Sequence, residues 1–554
     1  GEDYGLQVTA PSSLSDVANH VYNMQMAEDG TLTDFFVKTG FTSTSAKVDA
    51  VTDWSYDIVW EDSSDAAKQM KATLVQGVPF VYFQMSGTDT LTFERGRTGL
   101  PSAIISESED GSYLIARCYD NGDEDYDYYA FYAAQGTSWT IDKTASSIKT
   151  LTAALPSGRA YVSMAYLGSV KTSPDDTWAI RVGKEFGKYA YNYITDTKAE
   201  YSYNEAESTV TTTYTYTFDK KQESTADGTI MGILPHQYKN MPDASYAAYT
   251  YQTVRGTMKT IIGSTFTTEL TYSGILPYMP EISDSYSSTL SGYLTDYTSN
   301  FGGNYFNNYE GSGDTYWDGK GLNRLANAMI AAENAGDTAT ANEMLEVLKT
   351  HLEDWFTYSG SSDKRYFYYD DKLGTLFGFP QSYSSVDQIN DHHFHYGYFI
   401  YAAAQVALRV GNWGDDNKYG KMVKELIYDI ACPDRNSSTS RYPYLRSFAP
   451  YEGHSWASGH QNFGMGNNQE SSSEALNAWA GIILFGEATG DETLRDLGVY
   501  LYSTEVSAVN NYWFDVDENV LSDAYRYGVS NKEAAAINKE TAEVKYNSAA
   551  IVWG

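Results

Sequence analysis

Asp391, Glu470 and Glu474 are the residues whose type and setting best suit acid–base chemistry in this chain. Asp391 lies in "INDHHFHYGYFIYAAAQ" (Ile389–Gln405), where His392, His393 and His395 put three of the eight histidines within four positions, ahead of a block of aromatic rings. Glu470 and Glu474 lie in "FGMGNNQESSSEALNAWAG" (Phe463–Gly481), four residues apart at the start of an apolar run. On a helix that spacing puts both carboxylates on one face, about 5–6 Å apart at Cβ, with a repulsion of roughly 0.2–0.5 kcal/mol when exposed. Paired carboxylates are the proton donor and acceptor of glycosidic cleavage. A third stretch, "YEGHSWASGHQ" (Tyr451–Gln461), adds Tyr451, His454, Trp456 and His460 in a Gly- and Ser-rich loop. Rings with a polar edge suit stacking and hydrogen bonding to sugars.

Several of these residues have a plainer use. Asp391 precedes a long apolar stretch and could be a simple N-cap. Ser471-Ser472-Ser473-Glu474 reads as a capping box, which would employ Glu474 structurally and leave Glu470 unexplained. Trp456 could belong to a core. The His392-His393-x-His395 pattern does not match the i, i+4 histidine pair of a zinc helix, so neither metal nor cofactor is expected. Two carboxylates side by side on one helix cannot easily flank a scissile bond. Asp391 comes from a different helix–loop junction and can, so the better pair is Asp391 with one of the glutamates, which leaves room for a water and implies inversion.

The elements that must position these groups change character along the chain. "LVQGVPFVYFQMSG", "RAYVSMAYLG" and "STVTTTYTYTFDKK" are rich in Val, Thr, Tyr and Phe and are separated by turn residues, which predicts an antiparallel β-sandwich over residues 1–224. In "CYDNGDEDYDYYAFY" (Cys118–Tyr132) an Asn-Gly turn joins strand-like flanks. Its acidic run fits no EF-hand spacing and is expected as a solvated hairpin tip. Residues 225–300, with "GTIMGILPHQYKNM" and "VRGTMKTIIGSTFTTEL", are expected to form a small α/β bridging domain. From about Gly311 the apolar period becomes helical, and "AGDTAT" and "TGDETL" punctuate helix pairs with a Gly stop and an Asp start, so residues 301–554 are expected as a helical array. The Tyr398–Gln405 part of the histidine stretch is expected to be ordinary inward-packing helix.

Composition narrows the partners. The formal charge of −34 excludes nucleic acid and anionic membrane as natural partners and tolerates a neutral polysaccharide. Fifty tyrosines raise the aromatic share to 15% and suit half-wet grooves. Cys118 and Cys432 are the only cysteines, so no disulfide framework is expected. The chain opens at Gly1, and together with the Asn436-Ser437-Ser438 sequon this leads to the expectation of a secreted protein whose signal peptide has been removed. No run is long and apolar enough for a membrane span.

Taken together, "NDHHFHYGYFIYAAA", "YEGHSWASG" and "NNQESSSEA", with "LVQGVPFVYFQMSG", "GILPHQYKNM" and "GTMKTIIGSTFTTEL" upstream, resemble glycoside hydrolase family 81, the endo-β-1,3-glucanases, over most of the chain. The resemblance implies a multidomain α+β protein: N-terminal β-sandwich, small α/β domain and C-terminal (α/α)6-type barrel, part of which is expected to be missing here. It implies inverting hydrolysis of internal β-1,3-glucosidic bonds in laminarin-, curdlan- or callose-type glucans by a secreted monomer. Asp391 would be the general acid and Glu470 the general base. Glu474 would orient the water or share the base role. His393, His395, Tyr396, Tyr451, His454, Trp456, His460 and Asn468 would contact substrate. Met465-Gly466-Asn467 stands where an Asp-Gly-Lys-like run is expected, implying one lost polar contact. A non-catalytic β-1,3-glucan-binding or cell-surface structural role is the alternative.

Overall fold

The computed structural model describes residues 34–553, apart from 44, 98, 121–124, 146, 172, 242, 279, 281–283, 301–312, 437, 460–465, 530 and 535, together with three short strands, Leu6–Val8, Leu14–Val17 and Val21–Met24. Two antiparallel sheets form the N-terminal region, one of five strands and one of eight. Their facing sides meet in a core in which Phe35, Leu91, Phe93 and Leu151 of the smaller sheet pack on Met70, Phe83, Phe131 and Met164 of the larger. The opposite side of the larger sheet is also covered. Helix α1 (Asp176–Phe186) and the long strands Asn192–Asn204 and Thr209–Lys220 bring Val182, Phe186, Tyr193 and Tyr214 against Phe80, Tyr82 and Tyr132. A strand buried on both sides loses the alternation of a surface strand. Asp125–Ala133 is therefore buried almost throughout.

The acidic hairpin departs from expectation. Asp120, Asp125 and Asp127 are buried, with one carboxylate oxygen of each within 4.8 Å of the others, and Arg97 pairs with Asp120. Burial, reinforced by Asp34 and Asp125, pushes the Asp127 carboxyl up to about 8. The base of the hairpin is therefore core, while its tip at 121–124, where solvation was expected, lies outside the described residues.

The helical region contains α2 (Asp284–Asn300), α3 (Thr315–Asn334), α4 (Thr338–Trp355), α5 (His392–Arg409), α6 (Gly420–Ala431), α7 (Ser472–Thr489) and α8 (Glu492–Tyr512). The Gly-Asp punctuation works as read. Gly336 and Gly490 turn the chain at φ +73° and +70°, and Asp337 and Asp491 cap the next helices at Thr340 N and Leu494 N, at 3.1 and 3.2 Å. No helix among the described residues is long and apolar enough to cross a membrane.

Helix α5 is buried on nearly every side from His392 to Ala407, the pattern of a central helix. Its backbone lies against α7: a Cβ on Gly397 would fall 2.6 Å from Ala478 Cβ, so only glycine permits this approach. A Cβ on Gly481 would likewise meet the Tyr401 nitrogen at 2.8 Å. Contacts that advance in the same direction along both helices mean α5 and α7 run parallel. Helix α3 does the same, with Gly319 beside Tyr398 and Glu333 bonded to Arg409 at 2.6 Å. Helices α4, α6 and α8 return antiparallel, so the described residues include three inner–outer helix pairs. The three inner N-termini gather at one end.

Candidate active site

That shared end holds the carboxylates. Asp391 is the residue before α5, at φ +60°, and its side chain makes no capping bond. The N-cap reading of its sequence thus gives the position but not the task. Ser471 precedes α7 and likewise makes no side-chain cap, so the expected capping box is absent and Glu474 is not engaged in one. Glu474 instead accepts a hydrogen bond from the Tyr398 hydroxyl of α5, and it lies near enough to Tyr316 of α3 to raise that phenol's pKa. Glu470 stands before the helix, directly after the two-residue strand Asn468–Gln469. It does not share a helical face with Glu474 as the four-residue spacing suggested. Its side chain is exposed.

A backbone bridge sets the distance across the site. The Asp391 N–H donates to the Ala457 carbonyl at 2.9 Å, and the Ala457 N–H donates to the Asn468 carbonyl at 2.8 Å. Asn390 and Asn467 pin the same loop, through Gly459 N at 3.0 Å and Ser458 O at 3.1 Å. The strand before Glu470 is braced in turn: Asn468 and Gln469 pair with Trp553 and Val552, and Val552 pairs with Tyr22. Gln469 is buried and donates to Ser455 Oγ at 2.6 Å, and Ser455 donates to Glu505 at 2.7 Å. Burial raises Glu505 to about 7, and Trp479 Nε1 holds its other oxygen at 2.7 Å.

Electrostatics separate the three acids. Burial first, then the nearby charges of Glu470 and Glu474, push Asp391 up to about 7. A carboxyl so placed keeps its proton near neutral pH and can deliver it. The hydroxyls of Tyr398 and Tyr316 are raised by burial and by Glu474, and so remain protonated donors. Activity that needs protonated Asp391 is expected to fall as pH rises through about 7. Glu474→Gln removes one of the charges raising that pKa, so the alkaline limb of kcat/KM should move to lower pH. An unmoved limb in this variant would refute the coupling.

The structure places several sequence-named contacts behind the site rather than in it. His392 bonds Asp429 at 2.6 Å and the Ser385 carbonyl at 2.7 Å, which anchors the start of α5. Asp429 is buried, yet His392 and Arg446 hold its carboxyl below the usual range. His393, expected as a sugar contact, is buried, stacks on Trp479 and meets Gln469 at 3.3 Å. His395 is buried against Thr315 Oγ1 at 2.8 Å, and Tyr396 donates to the Leu376 carbonyl at 2.7 Å. Burial lowers both His393, to about 3, and His395, so both stay neutral. Tyr451 is an interdomain tie, with its hydroxyl on Gly232 O at 2.8 Å and its carbonyl on Gln237 at 3.0 Å. His454 is buried between Ser455 O at 2.8 Å and Arg255 at 3.2 Å. His393, His395, Tyr396, Tyr451 and His454 are scaffold because their stretches feed a fully packed helix and a domain junction. Trp456 and Asn468 are half-buried and remain able to meet a ligand. His460 and Met465 lie outside the described residues.

Sequence reading missed Tyr316 and treated Tyr398 as core. Tyr398 had a signal: seven residues after Asp391, it falls on the same helical face. Tyr316 sits in the first turn of α3, whose Asp314 cap bonds Tyr316 N and Trp317 N at 3.0 and 2.9 Å. Nothing local in "GDTYWDGKG" reveals that α3 begins beside Glu474.

Comparison with known proteins gives a consistent result. Residues 7–277 match the glycosyl hydrolase family 81 N-terminal domain and residues 291–535 the family's C-terminal domain. A glucan endo-1,3-beta-D-glucosidase of Acetivibrio thermocellus is 42% identical over 492 residues, covering 89% of this chain and 59% of the relative. One from Thermobifida fusca is 39% identical, covering 88% and 59% respectively. The chain therefore spans about three-fifths of the length of these curated relatives. Among solved structures, a mutant of the glycoside hydrolase family 81 protein from Clostridium thermocellum superposes with a TM-score of 0.83 at 38% identity, covering 100% of this chain and 69% of that one.

Proposed function

The chain belongs to glycoside hydrolase family 81, and from that membership and the carboxylate trio we propose that it is an inverting glucan endo-1,3-β-D-glucosidase. The observation that carries this reading is a buried, proton-holding Asp391 within reach of the charges of Glu474 and of an exposed Glu470, with the Tyr398 hydroxyl holding Glu474. Asp391 protonates the leaving glycosidic oxygen as the C1–O bond breaks. A water attacks C1 from the opposite side, and its proton passes to Glu470. Glu474, already held by Tyr398, orients that water. Of the two glutamates, Glu470 is the better base because it is exposed to the incoming water.

The inverting part of the proposal rests on Asp391 and Glu470 coming from two different elements, joined through Ala457, which leaves room for a water between the two carboxyls. The three inner–outer helix pairs are proposed as part of an (α/α)6-type barrel. Secretion and a monomeric state, with β-1,3-glucan as the partner, belong to the same proposal; the −34 charge leaves a neutral polymer unopposed.

Incubation with laminarin tests it. The expected result is an early collapse of average chain length, with new reducing ends that appear first as the α-anomer by NMR. Retention on the glucan without products would instead support the non-catalytic alternative. A β-anomer would overturn inversion.

A further inference from the structure

We propose that the outer face of the hairpin Tyr366–Asp370/Thr375–Phe379, extended by Tyr358, is a stacking platform for glucan residues remote from the cut bond. The inference rests on the reading that this chain acts on β-1,3-glucan. The hairpin carries aromatic rings on both faces, and packing accounts for the inner face and for Phe377 on the outer one, but not for Tyr368 and Phe379. Phe367 turns inward onto Trp355, Tyr396 and Phe399, at ring distances of 5.4, 5.4 and 5.4 Å. The other face pairs Tyr366 with Phe379 and Tyr368 with Phe377 across the strands. There Tyr358, Phe379 and Tyr368 remain 59%, 46% and 39% exposed.

These exposed rings are organised. Tyr366 stacks on Phe379 at 5.3 Å and meets Tyr358 edge-on at 4.9 Å. A run of neighbouring rings left in water is costly unless a ligand covers it. The apolar C–H faces of pyranose rings suit such a surface, and neutral sugar meets no repulsion from this acidic chain.

The platform is continuous with the acid junction. Beneath the surface, the buried rings of Phe377 and His392, the residue after Asp391, meet at 6.0 Å and fix the hairpin to that junction. On the other side Tyr383, four residues beyond Phe379, packs on Tyr316 at 5.0 Å, and Tyr316 reaches Glu474. Four residues span at most about 14 Å. One glucan chain leaving the carboxylates therefore meets the hairpin without crossing an unrelated surface.

The test compares the purified full chain with its Tyr358→Ala/Tyr366→Ala variant on a short β-1,3-oligosaccharide and on long laminarin. Removing two stacking rings is expected to lower the ratio of kcat/KM on polymer to that on oligosaccharide by roughly 5- to 30-fold. Migration in a laminarin affinity gel should become faster to match. Tyr358→Phe keeps the ring face and should keep the ratio. A ratio unchanged within about twofold, or an equal fall on both substrates, overturns the platform while leaving the function reading intact. Wild-type protein that neither binds nor cleaves β-1,3-glucan overturns the function reading and removes the platform's ligand with it.

Discussion

Asp391→Asn is expected to lower kcat/KM on laminarin by about 10²- to 10⁴-fold, the range that a positioned general acid supplies. The amide is nearly isosteric and leaves the Asp391 backbone bond to Ala457 in place, so the loss should be in chemistry rather than folding. The decisive measurement uses a β-glucosyl fluoride of the same linkage. Fluoride departs without protonation, so the variant should recover most of its rate on that substrate. The alkaline limb near pH 7 should also vanish from the residual activity, because the group that titrates there is gone. A variant equally slow on fluoride and glucan would refute the acid role.

Glu470→Gln is expected to be at least as damaging, again about 10²- to 10⁴-fold in kcat. Here the fluoride should give no rescue, since the attacking water still lacks a base. The opposite responses of the two variants to one leaving group identify which carboxyl gives the proton and which removes one. Laminarin affinity should persist, because the substitution neutralises one exposed side chain without changing its size. Loss of a neighbouring negative charge should also lower the Asp391 pKa, readable by carbon NMR of that carboxyl in the otherwise inactive protein. Near-normal turnover in this variant would exclude Glu470 as base and move the assignment to Glu474.

The Glu474→Gln variant completes the comparison. Its amide oxygen can still accept from Tyr398, but the charge is gone, and the resulting loss is expected to be smaller than that of Glu470→Gln.

Local sequence determined much of this protein. Thr- and Tyr-rich alternation specified strands, a 3.6-residue period specified helices, and the Gly-Asp pairs at 336–337 and 490–491 specified their turns, because each depends on neighbouring residues alone. The same locality exposed the three carboxylates as residues in unusual company. It failed wherever a side chain's task is set by a distant partner. The S-x-x-E motif promised a cap, yet Glu474 is taken up by the hydroxyl of Tyr398, which lies 76 positions away in the chain. His393, His395 and His454 looked like a polar cleft, but the junctions they occupy are packed from every side. Only the tertiary structure decided that α3, α5 and α7 start at one end, because that follows from the backbone approach Gly397 allows and from the Ala457 bridge. The residue types supplied the acids. Their burial and mutual distance, which make one a donor and another an acceptor, exist only once the helices have packed.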